Sequence, residues 1–142
     1  MARYFNILEL THSDKADILH IDNTPSDTNR GHLEELMDTL DSLRAFYGKP
    51  IKITSGYRCP QLNKAVKGSA TSVHMIGYAA DMKPTKDTLD HFIEVVLEWA
   101  KEHKFDQIIL EKNSKGSRWV HLGLYNNKGE QRGEIKKMFV KD

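Results

Sequence analysis

The sequence predicts an α+β domain, a mostly antiparallel sheet with two long helices on one face and an open cleft on the other. Three observations predict it. Apolar residues recur at helical spacing in two stretches, at Leu33, Leu36, Met37, Leu40 and Leu43 and again at Leu89, Phe92, Ile93, Val96, Leu97 and Ala100. Short alternating stretches separated by Gly-containing turns supply strands. Helices and strands in this order suit a sheet covered by helices on one side.

The chain has 142 residues, 39% hydrophobic and 29% charged, which fits one domain over residues 1–142. Its net charge is +1, so no whole-molecule field attracts nucleic acid or anionic lipid, and binding must come from a local site. The apolar runs are too short for a membrane span. The start, MARYFNILELTHSD, lacks the basic-then-apolar layout of a signal peptide, so synthesis in the cytoplasm is expected, as a monomer. The single cysteine, Cys59, can close no disulfide within the chain and build no cysteine-only zinc site. Any bound metal needs His and carboxylate ligands.

The opening through Asn23 reads as a short helix plus irregular chain. Thr24-Pro25 reads as a cap and first-turn proline, starting a helix that runs to Gly48. Ile51 to Thr54 alternates as a strand, a short helix begins at Pro60 and stops near Gly68, and residues 69–77 read as loop. Ala79 to Met82 is a short strand ended by Pro84, and Thr85 to His103 is the second long helix. Phe105 to Glu111, Arg118 to Tyr125 and Glu134 to Val140 are three further strands.

Strand alternation assigns faces. In Arg118 to Tyr125, Val120, Leu122 and Leu124 point one way, toward the core, while Trp119, His121 and Gly123 point the other. Ile108 and Leu110 must share the core face, which sets the parity of the pairing. A three-residue loop, Ser114-Lys115-Gly116, satisfies it and places Glu111 opposite Trp119 and Ile109 opposite His121. Glu111 and His121 then share the open face.

The densest chemistry lies between Ser72 and Asp81. His74 sits in a small-residue loop, Asp81 in the strand that follows, and His121 comes from a neighbouring strand. Two imidazoles and a carboxylate are the ligand count of a catalytic zinc site that keeps a position for water. A carboxylate beside that site must take the proton, and Glu111 is the candidate base.

The run Ser55-Gly56-Tyr57-Arg58-Cys59-Pro60-Gln61-Leu62-Asn63, then Ser72-x-His74-x-x-Gly77-x-Ala79-x-Asp81, then Trp119-Val120-His121, closely resembles the zinc D-alanyl-D-alanine carboxypeptidase family. That family also contains phage endolysins that cut L-alanyl-D-glutamate bonds, and it shares its fold with the Hedgehog signalling domain. The likeness covers residues 21–124. It implies a Hedgehog/DD-peptidase-like fold with the open cleft as a zinc site, Zn2+ held by His74, Asp81 and His121, and Arg58 and Ser72 beside the substrate. It also implies a zinc peptidase acting on peptidoglycan stem peptides, of D-Ala-D-Ala carboxypeptidase or L-Ala-D-Glu endopeptidase type. Without a signal peptide, such a protein is expected to act on the cell wall after release, as a phage lysin does.

One departure stands out. Many members carry an acid three residues before the last ligand, and here that position is Arg118, which accepts no proton. Either Glu111 takes the role, or the chain is a non-catalytic, zinc-stabilised module that binds peptide or protein. Plainer roles stand beside the sharp ones. Arg58 can cap a turn, Ser72 can fasten the ligand loop, Glu111 can end an exposed strand, and Cys59 can fill an apolar gap. His12, His20, His32, His91 and His103 read as surface or internally satisfied residues.

Overall fold

A computed structural model describes residues 4–140. Two short helices open it, α1 (Ile7–Thr11) and α2 (Asp14–Leu19), where one was expected. Each is started by a side-chain cap. Asn6 accepts the Glu9 N–H and Ser13 accepts the Ala16 N–H, so even five- or six-residue helices satisfy part of their exposed backbone.

The first long helix, α3 (Asp27–Tyr47), starts later than expected. Its cap is Ser26, which accepts the Asn29 N–H. Thr24 sits instead in a turn, where its N–H and hydroxyl both donate to the Asp22 carboxylate. The predicted stripe Leu33, Leu36, Met37, Leu40 and Leu43 is buried, and Gly48 ends the helix in the left-handed region.

Strand β1 (Ile51–Ser55) leads to α4 (Pro60–Ala65), capped by the half-buried Cys59, whose sulfur accepts the Leu62 N–H. The apolar role expected of Cys59 is thus joined by a capping one. Within residues 69–77 the chain makes a 3-10 turn, Val73–Ile76, before β2 (Ala79–Pro84).

The second long helix, α5 (Leu89–Ala100), is shorter at both ends than expected. Thr88 caps it, and Asp87 just before is held by the Tyr47 hydroxyl and the His91 ring, which keeps residues 85–87 outside the helix. Phe92, Val96 and Trp99 are buried, and Phe92 and Val96 each contribute about 1.5–3 kcal/mol by leaving water.

Strands β3 (Gln107–Asn113), β4 (Arg118–Gly123) and β5 (Glu134–Val140) complete a five-stranded sheet of order β1-β2-β4-β3-β5. The β3–β4 hairpin has the expected register, with Ile109 opposite His121 and Glu111 opposite Trp119, and Gly116 takes the positive φ of its turn. The sheet is mixed, however, and the expectation of a mostly antiparallel sheet is corrected: β5 runs parallel to β3. The cause is where β4 ends. It finishes beside the start of β3, and residues 124–133 step across that end. A strand begun there on the free edge of β3 must run in the direction of β3. Backbone bonds from Gly133 N–H to Phe105 and from Glu134 N–H to Asp106 fix the crossing.

Helices α3 and α5 pack on each other and on the face carrying Met82, Val120, Leu122 and Ile108, which form the core. Asp81, His121, Ile109 and Glu111 alternate with these residues and lie on the opposite face.

Candidate metal centre

Three separate segments deliver three side chains to one point. Asp81 and His121 are directly paired across β2 and β4, and His74 arrives from the 3-10 turn. One candidate ligand atom from each lies within 4.8 Å of the other two. Nε2 of His74 is 3.4 Å from Oδ1 of Asp81, and Nδ1 of His121 is 3.0 Å from the same oxygen.

The ring of His74 is oriented from behind. Its Nδ1 lies 2.7 Å from the carbonyl oxygen of Gly56. A carbonyl only accepts, so Nδ1 carries the proton and Nε2 presents its lone pair toward Asp81. A second bond, from the Arg58 N–H to the His74 carbonyl, ties the same two segments. Gly56 contributes a backbone atom and no reactive side chain, so residue type alone carries no signal of its part in the site. Its lack of a side chain is required, since a Cβ there would stand 2.2 Å from the carbonyl oxygen of Leu10.

Burial raises the Asp81 carboxyl, whereas charge and hydrogen bonds from His74 and His121, present when those rings are protonated toward it, lower it far below the ordinary carboxylate range. Burial lowers the proton affinity of His74 and thereby favours the neutral ring. A neutral imidazole and an ionised carboxylate are the states in which these groups bind metal. The donor set therefore fits zinc on its own chemistry.

Glu111 reaches the same point from β3, with Oε1 3.6 Å from Nδ1 of His121. Burial and then the negative charge of Asp81 raise its carboxyl, while His121 opposes them. The indole N–H of Trp119, buried and without a hydrogen bond of ordinary geometry, also favours the ionised carboxylate from close by. A partly buried carboxyl with increased proton affinity has the character of a general base.

Arg58 is pulled down by burial but keeps its charge beside Asp81 and Glu111, and its Nε has no hydrogen-bond partner. Its guanidinium reaches Ser72 at 3.4 Å. Ser72 also accepts the His74 N–H, so it both starts the 3-10 turn and touches Arg58.

Arg118 is turned away. It bonds the Asp90 carboxylate on α5, at 2.8 Å, on the helix side of the sheet. Its position, three residues from His121 along a regular strand, faces away from the site, whereas Glu111 faces it.

The expected open zinc cleft is not shown around these groups. His74, Asp81 and His121 are all buried, and neither of two nearby hollows is lined by them. One hollow, of about 920 Å³, lies along β1 between α1, α2 and Arg58, and the other, of about 350 Å³, lies between the start of α5 and strands β3, β4 and β5, with Glu111 and Trp119 in its lining. A second group, His12, Asp14 and Asp17, also offers ligand atoms, but it is fully on the surface.

An α+β fold with two histidines and an aspartate converging beside a carboxylate defines a metallopeptidase-like architecture. The family model described as Peptidase M15 matches residues 3–123. The chain belongs to this family, the zinc D-alanyl-D-alanine carboxypeptidases and endolysins. No curated protein matches the chain. Among the described residues no helix is long and apolar enough to cross a membrane.

Proposed function

We propose that residues 1–142 act as one zinc peptidase domain that hydrolyses the stem peptides of peptidoglycan, at a D-Ala-D-Ala or an L-Ala-D-Glu bond. The observation that carries this reading is the convergence of His74, Asp81 and His121, with the Glu111 carboxylate beside them on the same face. His74, Asp81 and His121 would hold the ion, which when bound supplies Lewis acidity to a water and to the scissile carbonyl.

The chain's own groups do the rest. Glu111 accepts the proton of the attacking water and returns it to the leaving amine. Arg58 supplies positive charge to a substrate carboxylate or to the developing oxyanion, with its unpartnered Nε free to donate. Ser72 keeps the Arg58 guanidinium and the His74 turn in register. Because Arg118 faces α5, its side chain takes no part, and the missing acid at that position does not argue against catalysis.

The test is release of free amino groups from purified peptidoglycan and from synthetic stem peptides, with and without a chelator. Chelator-sensitive release supports the peptidase. Stoichiometric zinc with no release from any stem peptide supports the non-catalytic module instead, and mass analysis of the products separates the two bond types. Action on the cell wall after release from the cytoplasm belongs to the same proposal.

A further inference from the structure

We propose that Asn23 is a positioning residue for the metal centre, because its carboxamide clamps the turn that carries both the Gly56 carbonyl and Arg58. The proposal rests on the roles given above to His74 and Arg58. Every polar atom of this amide is used. Oδ1 accepts the Cys59 N–H at 2.8 Å, and Nδ2 donates to the carbonyl of Tyr57 at 3.0 Å and to that of Thr11 at 2.9 Å. Thr11 is the last residue of α1, where carbonyls lack helical partners, so Asn23 joins a helix end to the turn.

The turn is gripped from both sides. The Tyr57 N–H bonds the Leu10 carbonyl at 2.7 Å, while on the other side Gly56 and Arg58 bond His74. Two of the three Asn23 bonds flank Arg58 in sequence, one on Tyr57 and one on Cys59. Neither Asp, which lacks the two donors, nor the longer Gln reproduces this set. Without the amide, the Tyr57 carbonyl and Cys59 N–H lose their partners and the turn shifts. Such a shift moves the imidazole of His74 and the guanidinium of Arg58 together. The link to the metal is indirect, through the carbonyl that orients a ligand.

The experiment uses the full chain with Asn23→Ala, the milder Asn23→Ser, and Trp99→Phe as a stability control. Trp99→Phe removes an indole bond to Ser42 far from the turn. Zinc affinity is measured by competition with a chromogenic chelator. Both Asn23 variants should bind zinc about tenfold more weakly, while Trp99→Phe lowers Tm and leaves zinc affinity unchanged. In stem-peptide hydrolysis, Asn23→Ala should lower kcat/KM about a hundredfold, and in an Arg58→Ala background it should cost only about the tenfold that comes through His74 and zinc. Wild-type zinc affinity in the folded Asn23 variants overturns the proposal, as do losses from Asn23→Ala and Arg58→Ala that multiply in full. Failure of both Asn23 variants to fold also overturns it, by assigning the amide to the fold alone. If the wild type binds zinc but cleaves no stem peptide, the functional reading fails, and the zinc measurement still decides the role of Asn23.

Discussion

Oε1 of Glu111 stands 3.6 Å from Nδ1 of His121, on the face of the sheet turned away from the long helices. Glutamine keeps the shape of this side chain but cannot take a proton. Glu111→Gln should therefore lower kcat by about 10²–10⁴-fold and leave zinc stoichiometry intact. Parallel measurement of turnover and metal content checks it, and unchanged turnover would remove Glu111 from the mechanism.

Zinc that binds the folded chain and not the unfolded one stabilises it by mass action, by about 2.7 kcal/mol at a hundredfold excess over Kd. Added zinc should raise the Tm of the wild type. His121→Ala, which deletes one of the three converging groups, should lose metal stoichiometry and most of that rise. Full retention of zinc by this variant would contradict its place as a ligand.

Gly56 should tolerate no side chain. In Gly56→Ala the new methyl would meet the Leu10 carbonyl at 2.2 Å, so the turn must move and carry with it the acceptor of the His74 proton. The expected result is lower Tm together with weaker zinc binding. Calorimetry and chelator competition report the two effects separately, and a loss of Tm with zinc affinity preserved would show that His74 does not depend on this carbonyl.

How far the sequence could be read follows from the range of the interactions involved. The shared face of Glu111 and His121 was legible because side chains in a strand alternate with a period of two and Val120, Leu122, Ile108 and Leu110 demand the core. The convergence of His74, Asp81 and His121 was legible in the residue types and their motif spacing. The direction of β5 was not, because it depends on where β4 ends against β3 rather than on any pattern within Glu134–Val140. The cap of α3 was not legible because Thr24 and Ser26 are both good caps, and only the folded turn, with Thr24 held on Asp22, leaves the role to Ser26. The burial of the three candidate ligands depends on what packs around them from other segments, which alternation alone does not determine.

The crossing from β4 to β5 depends on Asp106, which is almost fully buried and accepts three bonds from Arg132, from its N–H, Nε and one terminal nitrogen. Asp106→Asn removes the charge from this pairing and should cost about 2 kcal/mol, with a fall in Tm of about 4–8 °C for a chain of this size. Hydrogen exchange should quicken first in Glu134–Val140, since the segment before β5 is what Arg132 anchors. Urea unfolding with unchanged stability would show that the backbone bonds of Gly133 and Glu134 suffice.

Asp87 makes stability depend on acidity away from the metal centre. The Tyr47 hydroxyl and the His91 ring bond its carboxylate and hold its pKa at about 2, below the value of about 3.9 for an unfolded aspartate. A carboxyl whose folded value is depressed stabilises the fold at pH above its unfolded value, and the contribution disappears as pH falls through the folded one. The window is therefore about pH 4 down to about pH 2. Asp87→Asn keeps the shape but has no proton to lose, so it lacks this contribution at every pH. Wild type and variant should differ most above about pH 5 in urea unfolding and should converge as the pH approaches about 2. A gap of constant size across that range would mean that Asp87 acts by packing or by its bond to the Thr88 N–H, which begins α5, and not by its charge.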